Sequence, residues 1–145
     1  VTRQELVEGT VFRLGRRDVA DGFYSNGIVP DVDDFLLSTA DHEQVERMKV
    51  GSLSVWDAAL TTPAQANAFL PARNRAVLWL DVADIRNLPC SLHVYREPIP
   101  ETLPGADGHC VIENVWAEDK RMRKQIRVDL VEFAMRRRPS RTDAS

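Results

Sequence analysis

A chain of 145 residues, 43% hydrophobic and 28% charged, is about one domain of ordinary globular composition; this excludes a disordered or fibrous protein and supplies enough apolar surface for a core without staples. Its two cysteines, Cys90 and Cys110, are too few for a disulfide framework and read as reduced thiols in a cytosolic protein. The formal net charge of −3 argues against a general nucleic-acid binder.

In chain order, Thr2 and Glu5 have capping-box spacing, which predicts a short helix over Arg3–Glu8 stopped by Gly9. Thr10–Leu14 (TVFRL) alternates and suits a strand. From Gly15 to Pro30, Asp21-Gly22 and Asn26-Gly27 carry turn chemistry, and a long irregular segment is expected. Phe35–Leu37 is a short apolar run. Asp41 predicts the cap of a helix to about Lys49, with Gln44 at the capping-box position and Val45 and Met48 inward. Leu53–Trp56 suits a strand. Thr62-Pro63-Ala64-Gln65 is the clearest helix start: a hydroxyl cap, proline at the first position and glutamine three after the cap. Ala66, Phe69 and Leu70 form its buried stripe, and Pro71 stops it.

Ala76–Tyr95 then changes hydrophobic period twice, AVLWLDV, ADIRNLPC, SLHVY, which predicts a strand, one helical turn and a second strand. A loop rich in proline and charge leads to a further strand, HCVIENVW. The last helix is expected from Glu118 to Met135, with Met122, Ile126, Leu130 and Phe133 along one face, flanked by Val131 and Ala134. Glu118 and Asp119 suit its positive end and Arg136–Arg138 its negative end. The expected fold class is α+β: a small, mostly antiparallel sheet packed against the C-terminal amphipathic helix, with one or two shorter helices. Residues 1–138 read as a single domain and 139–145 as a flexible tail. No apolar run approaches the ~18–20 residues that span a bilayer, and VTRQELVEG has no apolar signal core; no membrane contact and a cytoplasmic location are expected.

Charge is unevenly spread. The first 60 residues carry eleven acidic side chains, whereas Lys120–Arg141 carry nine basic ones against only Asp129 and Glu132. Nucleic acid is therefore expected as a partner only through the basic C-terminal segment, whose simplest role is a solvated helix face.

His109, Cys110 and Glu113 sit close together in sequence, but strand alternation turns Cys110 and Ile112 to one face and His109, Val111 and Glu113 to the other. Cys110 thus reads as core. His109 and Glu113 are the candidate catalytic pair, with His109 equally able to anchor its loop to a backbone carbonyl. His93, His109 and Glu113 match no short zinc signature, and Asp31, Asp33 and Asp34 lack the glycine and bidentate glutamate of a calcium loop. No GxxxxGK, GxGxxG or GxSxG pattern is present. No metal and no cofactor are expected.

Two resemblances add to this reading. Arg13 in VFRLG, Ser38 in FLLST and Glu113 in VIENV follow the chain order of ADP-ribosyltransferase sites. That resemblance implies that Arg13 holds a dinucleotide phosphate and Glu113 stabilises an oxocarbenium-like sugar; Val111 stands where a second acidic residue or glutamine is usual. Separately, Leu53-Ser54-Val55-Trp56-Asp57 with Leu60 and Gln65-Ala66, then Val82–Ile85, Leu92–Val94, Pro98–Pro104 and His109–Glu113, resembles a family of small bacterial proteins with an LSVYDG…GLPV…HAVID pattern. The chain departs from it at Ala58, where glycine is usual, and at Cys90-Ser91, where a glycine precedes the strand. The family resemblance implies an accessory role in bacterial conflict systems (toxin, immunity or defence) and marks Ser54, Asp57, His109 and Glu113 as its polar positions. The leading expectation is a non-enzymatic interaction protein whose partner is another protein. The alternative is a small enzyme using His109 and Glu113 with Arg13, ADP-ribosyltransferase-like if Ser38 joins them.

Overall fold

A computed structural model describes residues 4–18, 35, 52–69, 75–88, 92–100, 103–113 and 120–137. The expected helix over Asp41–Lys49, Ser38, Cys90 and the 139–145 tail lie outside these residues. The alternating segments form six strands: β1 (Glu5–Leu6), β2 (Thr10–Asp18), β3 (Ser52–Asp57), β4 (Arg75–Asp81), β5 (His93–Arg96) and β6 (His109–Glu113). They make one sheet in the order β1-β5-β6-β3-β2-β4, antiparallel at every pairing. Among the described residues, three α-helices complete the α+β fold: α1 (Pro63–Asn67), α2 (Val82–Arg86) and the long α3 (Lys120–Arg137). None of them is long and apolar enough to cross a membrane.

Alternation sends two sets of side chains to two faces. On one face Val11, Leu53, Val55, Leu78, Leu80, Val94, Cys110 and Ile112 form a buried layer. Helix α3 covers it with Ile126, Leu130, Phe133 and Ala134, the i, i+4, i+7, i+8 spacing of a single helix face. Burying Ile126, Leu130 and Phe133 stabilises the pair of layers by roughly 1.5–3 kcal/mol each before entropy is counted. Met122, one turn earlier, is 42% exposed; the inward stripe begins at Ile126, one turn later than the pattern suggests. On the opposite face Phe12, Trp56, Val77 and Ala66 form a smaller cluster, joined by Leu14, Phe69, Trp79 and Ile99.

Two local expectations change. Residues 5–6 are a strand, not part of a helix: Glu5 pairs with Tyr95, Leu6 with Val94, and the Arg96 N–H donates to the Gln4 carbonyl at 2.8 Å. A six-residue helix is below the length that stands alone, whereas as a strand Leu6 packs against the buried layer. Gly9, at φ +103°, turns the chain into β2. β2 itself continues past Gly15 to Asp18, opposite Arg75, with a register shift between Leu14 and Asp18.

At the end of β3 the chain is held tightly. The Asp57 carbonyl accepts from the Leu60 and Thr61 N–H groups at 3.0 and 2.9 Å, and its Oδ1 accepts from the Ala59 N–H at 2.9 Å. Thr62 then caps α1 with the full capping box, its hydroxyl accepting from the Gln65 N–H and its own N–H donating to Gln65 Oε1. The Thr61 hydroxyl donates to the Gly105 carbonyl at 2.7 Å. Gly105 is in the left-handed region, at φ +87°. A Cβ on Gly108 would collide with the Thr61 hydroxyl and lie 2.9 Å from its Cβ, so only glycine lets the 105–108 turn press against Thr61. That contact delivers His109 to the start of β6. Gly108→Ala is expected to cost about 1–3 kcal/mol through overpacking; urea unfolding of the two proteins measures it, and equal midpoints would mean that the turn does not touch Thr61.

Candidate functional site

The pairing of β3 with β6 decides which polar side chains meet. Trp56 stands opposite His109, Ser54 opposite Val111 and Ser52 opposite Glu113. His109 is half-buried and Ser54 exposed. His109 Nδ1 lies 2.8 Å from the Glu97 carbonyl oxygen and Nε2 lies 3.2 Å from Ser54 Oγ. A carbonyl only accepts, so the neutral ring carries its proton on Nδ1 and receives the Ser54 hydroxyl at Nε2; this tautomer is assigned from the partners. The Glu97 N–H returns to the His109 carbonyl at 2.9 Å, so one residue holds both the backbone and the ring of His109. The Trp56 ring meets the imidazole edge-on, with centroids 4.9 Å apart at 68°, and itself rests against Phe69 at 5.2 Å.

The other sequence candidates go elsewhere. Glu113 shares the His109 face but is four residues along β6, roughly 13 Å at the strand rise; its cross-strand neighbour is His93. The structure therefore brings His109 to Ser54 and not to Glu113. Arg13, 8% exposed, shares the α3-covered face with Val11 and Leu78, and its Nη1 donates to the Ser54 backbone carbonyl at 2.9 Å. Arg13 and Glu113 thus point from opposite faces of the sheet, and Ser38 lies outside the described residues. Asp57 also faces α3: besides ending β3, its Oδ2 is 3.0 Å from Arg96 Nη1. That nitrogen makes no aligned hydrogen bond, so the contact is ionic. His93 Nδ1 sits 2.9 Å from Glu5 Oε2, which also takes Arg86 Nε at 3.2 Å. The hydrogen bond from His93 holds the Glu5 carboxyl below its ordinary range, against partial desolvation and with help from the Arg86 guanidinium. Among the described residues no group of three His, Cys, Asp or Glu is placed to hold a metal.

Sequence reasoning named Ser54 and His109 in one set with Asp57 and Glu113 but did not pair them, and it missed Glu97, which contributes backbone atoms that no side-chain pattern marks. It also missed Arg96, whose partner becomes visible only once β5 is laid beside β6. Comparison with protein-family models, curated proteins and solved structures finds no match.

Cys110 is fully buried, its thiol donating to the Gly108 carbonyl at 3.4 Å. Burial pushes the thiol up from 9.0 to about 11; Arg96 opposes this shift and Asp57 adds to it. A raised pKa in the folded state means that this stabilisation is complete below about pH 9 and is lost as pH climbs toward 11. It amounts to about 2–3 kcal/mol at most. The stability difference between the wild type and Cys110→Ala, measured by urea unfolding at pH 8 and pH 11, is expected to shrink by up to that amount. A pH-independent difference would place the thiol in water.

Proposed function

We propose that the protein is an accessory protein that docks another protein at the end of the sheet where β3 runs into α1. The observation that carries this reading is a pair of exposed leucines, Leu60 at 49% and Leu103 at 43%, flanking a rigid contact. Leu60 precedes Thr61, Leu103 precedes Gly105, and the Thr61 hydroxyl bond to Gly105 ties the two segments together. The Asp57 turn, the capping box and the glycine contact leave little backbone freedom to lose on binding, and such preorganisation favours affinity. A single exposed leucine is ordinary; two held on one rigid corner are a docking point of the kind that anchors interfaces. Exposed Glu97 and Asp107 lie on the segments around this corner, so the partner that complements it carries an apolar anchor rimmed by lysine or arginine. The resemblance to small bacterial proteins with the LSVYDG pattern supports a toxin, immunity or defence setting for such a partner.

The test is quantitative affinity purification from the native host, with wild type and Leu60→Asp/Leu103→Asp expressed at equal levels. The proposal expects one protein recovered in stoichiometric amount with the wild type and at least tenfold less with the variant, whose thermal unfolding is unchanged. Equal recovery with both baits, or none with either, contradicts it.

A further inference from the structure

We propose that Ser54 is a nucleophile activated by His109, an acyl-accepting site independent of the docking corner. Three features of a serine–histidine pair are present together. The hydroxyl lies 3.2 Å from Nε2, the opposite ring nitrogen is held 2.8 Å from an acceptor, and the hydroxyl is exposed to an incoming reagent. The acceptor is the Glu97 carbonyl, which fixes the tautomer that leaves Nε2 free to take a proton, the role a carboxylate plays in a full triad. The ring is also preorganised. Trp56 packs against it edge-on, and the Glu97 N–H pins the backbone that carries it. Beneath Ser54, the buried Arg13 guanidinium holds the backbone carbonyl of the same residue, so the nucleophile sits on a braced strand and not on a loop.

The same geometry limits the chemistry. A carbonyl dipole stabilises an imidazolium less than a full negative charge does, so His109 is a weaker proton store than a carboxylate-backed histidine. Substrates with good leaving groups, carboxylic esters rather than amides, fit that limit. In the step, Ser54 Oγ bonds to the ester carbonyl carbon while its proton passes to His109 Nε2. The carbon–alkoxide bond then breaks and the leaving oxygen takes that proton. Water oxygen then bonds to the acyl carbon as its proton passes to the same nitrogen; the carbon–Oγ bond breaks, Nε2 returns the proton to Ser54 Oγ, and the acid leaves. Glu113 plays no part, being roughly 13 Å along the strand.

A fluorophosphonate probe reads the first half of this step: Ser54 Oγ bonds to phosphorus, fluoride leaves, and Nε2 takes the proton. The full-length protein is treated with the probe, and adducts are mapped by tryptic mass spectrometry. The proposal expects labelling at Ser54 at least 100-fold faster than at the other serines of the chain, none at this position in Ser54→Ala, and at least tenfold slower labelling in His109→Gln. Circular dichroism verifies that His109→Gln is folded; should it unfold, the comparison of Ser54 with the chain's other serines decides alone. Labelling of Ser54 no faster than of those serines, or unchanged in a folded His109→Gln, overturns the assignment.

Discussion

The register of β6 between β3 and β5 is the constraint on which everything else rests. Strand side chains have period two, so a slip of one residue exchanges the faces. In the observed register Val55 meets Cys110, Leu53 meets Ile112 and Val94 meets Ile112. All five are at most 1% exposed beneath α3. In the slipped register the imidazole of His109 and the carboxylate of Glu113 would enter that layer, and Cys110 and Ile112 would leave it. Burying polar groups without partners costs several kcal/mol, comparable to what one α3 side chain contributes. The apolar layer thus specifies where His109 points without touching its ring.

What the register positions, the ends of the strands make rigid. Asp57 closes β3 on the Leu60 and Thr61 amides and meets Arg96 from β5, tying the end of β3 to a segment far away in sequence. Thr61 then holds the glycine turn that leads into His109. The exposed leucines next to the Thr61–Gly105 contact and the Ser54–His109 pair both rest on this bracing. They need not serve the same event. Mutations that loosen the turn should disturb both, whereas substitutions at Leu60 or Ser54 separate them.

Much of the fold was legible in local pattern. Thr62-Pro63-Ala64-Gln65 carries its helix start in four residues because a capping box is a local device. The strands around Val55, Leu78 and Cys110 and the inward turn of Cys110 follow from alternation, and α3 from a 3.6-residue stripe. Illegible were the features that a distant partner decides. Residues 5–6 are a strand because Val94 and Tyr95 stand beside them, and nothing near Glu5 says so. Met122 fits the helical stripe yet is 42% exposed, so the pattern alone does not mark where the buried stripe begins. The pairing of His109 with Ser54 in place of Glu113 needs the β3–β6 register, and the Glu97 carbonyl is backbone, common to every residue. Burial of the Arg13 cation was not legible locally, because the carbonyl that receives it belongs to Ser54 on the neighbouring strand β3.

Cross-strand nuclear Overhauser contacts in isotopically labelled protein test the central claim most directly. The account predicts backbone contacts that pair Trp56 with His109, Val55 with Cys110 and Ser54 with Val111. A set displaced by one residue, Trp56 with Cys110 and Val55 with Val111, would contradict it and remove the basis for both the buried thiol and the Ser54–His109 pair.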